Sequence, residues 1–263
     1  MELFDTHCHL ADRAYARDLD EVLARARASG VVGLACVGYD VASSRAAVEL
    51  AGRHDHVWAV VGVHPHHARE AGRDFIGELR LLARRPRVVA IGEAGLDFYR
   101  DLSPRPVQKD VFRRQVDLAL ELGLPLVVHD RDAHEETLDV LSRAYGGSRP
   151  GDRPIRAGVM HCFAGDAAKA RVCLDLGFHL SFAGPITFPK AERAREAAAA
   201  TPLGSLLVET DCPYLAPQSR RGRRNEPAFV VEVAAALAAV KGVAPEEAAA
   251  RTTENARRLF GLA

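Results

Sequence analysis

Two histidines one residue apart, His7 and His9, stand in the run Asp5-Thr6-His7-Cys8-His9 directly after a short apolar stretch. Side chains of an extended chain alternate with a period of two, so these imidazoles share a face and Cys8 takes the other. Similar residue types end further apolar runs: His64 in Gly62-Val63-His64-Pro65, Glu93 in Gly92-Glu93-Ala94-Gly95-Leu96-Asp97, and His129 in Val128-His129-Asp130-Arg131. His161 precedes Cys162-Phe163, and Glu209 and Asp211 lie in Glu209-Thr210-Asp211-Cys212-Pro213. Neutral imidazoles and carboxylates together hold divalent ions, and a carboxylate can bridge two of them. His7, His9, Glu93, His129, His161 and Asp211 are therefore candidate ligands for one or two divalent ions. Such a mixed set leaves coordination open and suits metal-assisted hydrolysis, in which the ion lowers the pKa of water and stabilises developing negative charge. Glu209 shares a strand face with Asp211 and is a candidate outer partner or an interior hydrogen-bonding carboxylate. His54, His56, His66, His67, His134 and His179 fall in loops, in helices or at a strand start, and are read as ordinary hydrogen-bonded or surface residues.

These residues need a frame that brings strand ends together. Apolar and β-branched runs predict strands at Glu2–Thr6, Val31–Val37, Val57–Val63, Val88–Gly92, Leu124–Val128, Ala157–His161, His179–Ala183 and Leu206–Thr210. Between them, segments such as Asp18–Ser29, Ser43–Arg53, Gln108–Leu122 and Ala133–Tyr145 space apolar residues as a helix does, and Ala228–Val240 and Pro245–Leu259 close the chain. Eight β-α units over 263 residues predict an α/β fold: a single (β/α)8 TIM barrel spanning 1–263, with the metal site at the C-terminal ends of the strands. The Gly/Pro-rich stretch from Gly146 to Pro154 reads as a tolerated loop on the opposite face. The chain carries no G-x-G-x-x-G, no Walker A lysine pattern and no G-x-S-x-G, which removes support for a nucleotide cofactor or a serine nucleophile.

With 48% apolar residues the chain can bury a substantial core, and intrinsic disorder is excluded. Thirty-five basic residues balance 35 acidic ones, so bulk electrostatic coating of nucleic acid or of an anionic membrane is excluded, while a local basic patch is not. Five cysteines without a C-x-x-C pair argue against a disulfide scaffold or a thiolate zinc site and for a reducing compartment. The acidic, polar N-terminus lacks the basic start and apolar stretch of a signal peptide, and no apolar run approaches the ~20 residues of a membrane span. The expectation is a soluble, cytoplasmic protein that contacts no membrane and acts as a monomer.

Eight ordered segments together resemble the TatD family of metal-dependent deoxyribonucleases, within the amidohydrolase-like barrel superfamily. They are FDTHCHLAD at 4–12, GVHPHHA at 62–68, IGEAGLDFYRD at 91–101, VVHDRDAHEETL at 127–138, HCFAGD at 161–166, ETDCPYLAP at 209–217, RRGRRNEP at 220–227 and TTENARRLFGL at 252–262. The resemblance implies two divalent ions per chain, Mg, Mn or Zn. One would be held by His7, His9, Glu93 and Asp211 and the other by Glu93, His129 and His161, with Glu93 bridging. It further implies that His64 and Arg131 contact substrate phosphate and that Arg221, Arg224, Asn225 and Glu226 organise the substrate side. Asp130 and Ala94 depart from the usual pattern, and neither is a proposed ligand.

The implied activity is hydrolysis of DNA phosphodiester bonds from a single-stranded or frayed 3′ end. Glu93, Asp211 and His64 are the expected catalytic residues: Asp211 as ligand and general base, and His64, with Arg131, against the phosphate charge. Arg220, Arg221, Arg223 and Arg224 are candidates to grip flanking phosphates. The alternative is an amidohydrolase-type hydrolase acting on a small amide or on an aminoacyl-tRNA ester. Many barrels of that kind bridge their metals with a carboxylated lysine after strand 4; Glu93 takes that place here, and Lys109, Lys169, Lys190 and Lys241 lie elsewhere. A catalytically silent barrel used as a binding scaffold would show a missing ligand, and all six are present.

Overall fold

The computed structural model describes residues 1–147 and 157–262. Eight strands, β1 (Leu3–Cys8), β2 (Val31–Val37), β3 (Val57–Val61), β4 (Val88–Asp97), β5 (Leu126–Arg131), β6 (Gly158–Met160), β7 (Phe178–Phe182) and β8 (Leu206–Val208), form one parallel sheet in chain order. Side chains and backbone close the seam between β1 and β8. Asp211 N donates to His7 O and His9 N to Cys212 O, while Asp5 accepts from Thr210 N at 2.9 Å and from Thr210 Oγ1 at 2.6 Å. The result is a nearly closed (β/α)8 barrel.

Around it lie α1 (Leu19–Ala28), α2 (Val41–Arg53), α3 (Phe75–Ala83), α4 (Arg105–Leu122), α5 (His134–Tyr145), α6 (Ala167–Asp175), α7 (Glu192–Ala200), α8 (Val230–Lys241) and α9 (Pro245–Phe260). Their starts follow local chemistry. Asp40 and Ser43 make a reciprocal capping box at α2, Asp166 accepts from Lys169 N at α6, and Pro245 opens α9, where a missing N–H costs nothing.

The barrel interior is layered. Phe4, Ala35, Val60, Val89, Val127, Val159 and Leu207 pack into an apolar floor, and Ala256, Leu259 and Phe260 of α9 plug it from below. Above that floor the period of two puts Thr6 opposite Ser181, their hydroxyls 3.2 Å apart. Higher still it gives His129 after Val127, His161 after Val159, and Glu209 then Asp211 after Leu207. The floor supplies hydrophobic stability and the upper layers supply the chemistry.

The expected strand ends shift in a way that matters. β4 continues to Asp97, five residues past the expected stop at Gly92, because its pairing with β5 persists from Ala94↔Val128 to Asp97↔Arg131. β5 likewise starts at Leu126 and runs to Arg131, while β3 and β8 stop early at Val61 and Val208. Most of the Gly146–Pro154 loop lies outside the described residues. All five cysteines are free, and no single helix among the described residues is long and apolar enough to cross a membrane.

Candidate metal centre

Six strands deliver side chains to one point above the polar layer. His7 Nε2 lies 3.2 Å from His9 Nε2, 3.2 Å from Glu93 Oε2 and 3.7 Å from Asp211 Oδ1. His9 Nε2 lies 3.4 Å from Asp211 Oδ1 and 3.8 Å from Glu93 Oε2. An ion held tetrahedrally at about 2.1 Å keeps its ligand atoms about 3.4 Å apart, so these four atoms have the spacing of a ligand cage. On the other side of Glu93, Oε1 lies 2.7 Å from His129 Nδ1, 3.4 Å from His64 Nε2 and 3.7 Å from His161 Nε2. The two carboxylate oxygens of Glu93 thus face two different sets of donors.

Glycine makes the central position possible. Gly92 has φ 143°, and a Cβ there would sit 2.6 Å from Val127 O, so only glycine fits immediately before Glu93. Gly62, just after β3, meets Gly92 equally closely, letting the chain segments approach where His64 and Glu93 emerge.

Partners behind the imidazoles fix which nitrogen faces inward. His9 Nδ1 lies 2.9 Å from Val37 O, which can only accept, so its Nε2 lone pair faces the cage. His161 Nδ1 lies 2.8 Å from Glu209 Oε1, leaving Nε2 toward Glu93 and Asp211. His129 Nε2 lies 3.3 Å from Asp97 Oδ2, leaving Nδ1 toward Glu93. His64 is oriented the opposite way: its Nδ1 accepts from His66 N at 3.1 Å, so in the neutral ring the proton sits on Nε2. His64 therefore presents a hydrogen-bond donor to the centre, and the other three turn inward the nitrogen that carries the lone pair once the ring is neutral.

Burial and neighbouring charges set the protonation of each ring in the metal-free protein. Burial pushes His64 down to about 3, so it is neutral. Burial also opposes a proton on His129, but the bonds to Asp97 and Glu93 prevail and raise it to about 9. For His161, burial is outweighed by the charges of Glu209 and Glu93, which raise it to about 10. Burial works against ionised Glu93 as well, yet the surrounding imidazoles hold it well below the ordinary carboxylate range. Asp211 behaves similarly, with His9 overcoming burial. A buried pocket that draws protons onto imidazoles is one that demands positive charge, which a divalent ion supplies directly.

The expected substrate-side residues separate. Arg131 lies exposed at the end of β5 with its guanidinium 4.0 Å above the Tyr99 ring, and Arg221 lies 5.0 Å over Phe188. Arg224 is already engaged, with both terminal nitrogens on Asp18 at 2.8 and 2.6 Å and Nη1 also on Ala14 O. Arg220 reaches Glu232 at 3.4 Å. Asn225 departs from expectation altogether: it is fully buried, and its Nδ2 donates to Thr210 O at 2.8 Å and Tyr214 O at 2.6 Å. Its amide is used up in bracing the loop after β8, so it shapes the rim without reaching it. Glu226 is held by Arg25 through a two-pronged contact.

Two partners of the centre escaped the sequence reading. Asp97 is buried and accepts from His66 Nε2 at 2.7 Å as well as from His129; its signal was the period of two through Glu93, Gly95 and Asp97. Asp5, whose carboxyl burial raises to about 7, bonds the backbone of both His7 and Thr210 and so ties two ligand-bearing strands together.

Comparison with known proteins gives a consistent picture. A family model described as TatD related DNase matches residues 4–261. An uncharacterised metal-dependent hydrolase, YabD, of Bacillus subtilis is 43% identical over 260 residues, covering 99% of each chain. The 3′-5′ ssDNA/RNA exonuclease TatD of Erwinia tasmaniensis is 39% identical over 266 residues, covering 99% of this chain and 100% of that one. Among solved structures, YjjV, a TatD homologue from Escherichia coli K12, superposes with a TM-score of 0.91 at 30% identity over 99% of this chain and 98% of its own.

Proposed function

The chain belongs to the TatD-related DNase family, and from that premise we propose that it is a metal-dependent 3′-5′ exonuclease acting on single-stranded DNA, with RNA as a related substrate. The observation that carries the reading is the division of Glu93, whose two oxygens face two separate sets of ligand-type side chains. His7, His9, Glu93 and Asp211 would hold one divalent ion, and Glu93, His129 and His161 a second. Bound there, Mg, Mn or Zn would lower the pKa of a water and offset charge on the phosphate.

The chain's own groups supply the remainder. Asp211, ionised and partly exposed, accepts the proton from the attacking water. The neutral His64 donates its Nε2 proton as a hydrogen bond to a non-bridging phosphate oxygen, where charge grows in the transition state. Arg131 and Arg221 orient the flanking phosphates. Val37 O, Glu209 and Asp97 hold His9, His161 and His129 so that none of these three has to turn during the reaction. The five free thiols fit a reducing compartment such as the cytoplasm.

The test is cleavage of 5′-labelled single-stranded DNA by protein stripped with EDTA and then given Mg, Mn or Zn. A ladder shortening from the 3′ end, present only with metal and lost in Glu93→Gln, is the expected outcome. No nucleic-acid cleavage with any of these metals, alongside hydrolysis of a cyclic amide or of aminoacyl-tRNA, would overturn it.

A further inference from the structure

Two tyrosines flank His9 at the mouth of the centre. Strands β2 and β8 are the neighbours of β1, which leads to His9, and Tyr39 and Tyr214 follow the ends of those two strands. Their rings lie 5.9 and 6.0 Å from the His9 ring, inclined to it by 62° and 67°, so neither is consumed by stacking on the imidazole. Tyr214 is 54% exposed and Tyr39 is partly buried beneath His67, which stacks on it at 5.3 Å. Burial raises both phenols, and the nearby Asp12 carboxylate raises each further.

Both rings stand on fixed backbone. Tyr39 N accepts its place from Ser43 by donating to Oγ at 2.9 Å, and Tyr39 O takes the N–H of His64. Tyr214 N donates to Asp211 O, and Tyr214 O receives the buried amide of Asn225. An exposed aromatic ring on a rigid backbone, tied to two residues of the centre, is a surface prepared for another flat apolar group.

We propose that Tyr39 and Tyr214 form a base-stacking cleft that receives the unpaired terminal bases of a nucleic-acid strand beside His9. The inference rests on the nuclease reading and deepens it. Every base has a π-face, so such a cleft tolerates any sequence. A base inside a duplex has both faces covered by its neighbours and cannot enter, so the cleft selects single-stranded ends.

The experiment compares anisotropy of two labelled oligonucleotides of equal charge, one intact and one with abasic 3′-terminal nucleotides, both protected from cleavage by phosphorothioate linkages and measured in Mn. Wild-type protein is expected to bind the intact strand about tenfold tighter or more. Tyr39→Leu/Tyr214→Leu should lose that preference and Tyr39→Phe/Tyr214→Phe should keep it, with thermal melting showing that both are folded. Should the double leucine variant fail to fold, Tyr214→Leu alone, at the more exposed ring, should weaken the preference. Equal binding of the two strands by wild type, or an undiminished preference in the folded leucine variant, overturns the cleft. Cleavage of an unprotected strand separates the cases: wild type that cleaves without preferring bases loses only the cleft, and wild type that neither cleaves nor binds either strand loses both readings.

Discussion

Glu209 stands directly behind His161, with Oε1 2.8 Å from Nδ1 and also 2.6 Å from Cys162 N, and both side chains are buried. One carboxylate therefore orients a candidate ligand and satisfies a buried backbone donor. Glu209→Ala removes both contacts, and we expect divalent-ion affinity to fall by about 10–100-fold. Glu209→Gln keeps an accepting oxygen and should fall less. Competition against a metallochromic chelator measures both variants, and wild-type affinity in Glu209→Ala would show that His161 needs no support.

Asn225 was legible as a site residue from the arginine-rich loop, but a sequence cannot say whether an amide faces outward to a phosphate or inward to its own backbone. Its two bonds to Thr210 O and Tyr214 O make it a brace. Asn225→Ala leaves the buried Thr210 carbonyl and the part-buried Tyr214 carbonyl short of a donor, and a buried loss of this kind costs about 1–3 kcal/mol. The expected readout is a lowered midpoint in chemical denaturation. Unchanged stability with a raised KM would instead restore Asn225 to the substrate.

The arginines of the same loop bear on ionic strength. Arg224 and Arg220 are paired with Asp18 and Glu232, which leaves Arg131, Arg221 and the exposed Arg223 to meet phosphate. Few contacts mean a shallow dependence, of order −1 to −3 for log affinity against log salt on single strands. Titrations of a protected oligonucleotide across salt concentrations give the slope directly. A value near about −8 would require a much larger basic footprint.

Much of the centre was readable because β-strand side chains alternate: His7 and His9 share a face, with Nε2 atoms 3.2 Å apart, although the register of β1 against β2 shifts between Asp5 and Cys8, so that Thr6 and His7 both reach the interior. The barrel followed from eight recurring β-α units, and the helices from apolar spacing. Asp97 was missed for an equally physical reason. Glycines and acidic residues after Ile91 have low strand propensity, and only pairing with β5 carries the strand five residues farther. The tyrosines beside His9 gave no signal, since a loop aromatic acquires meaning only from what it stands next to.

Protonation and metal binding oppose each other at this site. His129 and His161 are raised to about 9 and about 10 in the metal-free protein, so both keep a proton at neutral pH. An ion must displace those protons, so apparent affinity should rise with pH, about tenfold per unit for each proton displaced, until pH reaches about 9. Calorimetric titrations in buffers of different ionisation enthalpy should report proton release. Affinity that is flat or falling between about pH 6 and 8 would mean that these imidazoles bind no ion.

The most direct measurement is the number of Mn ions held per chain at equilibrium dialysis, with single-strand cleavage recorded on the same samples. A centre shared through Glu93 requires two ions in wild type, cleavage that rises as the sites fill, and loss of both ions and cleavage in Glu93→Gln. Fewer than two ions per wild-type chain at saturation, or wild-type cleavage by Glu93→Gln, would contradict it.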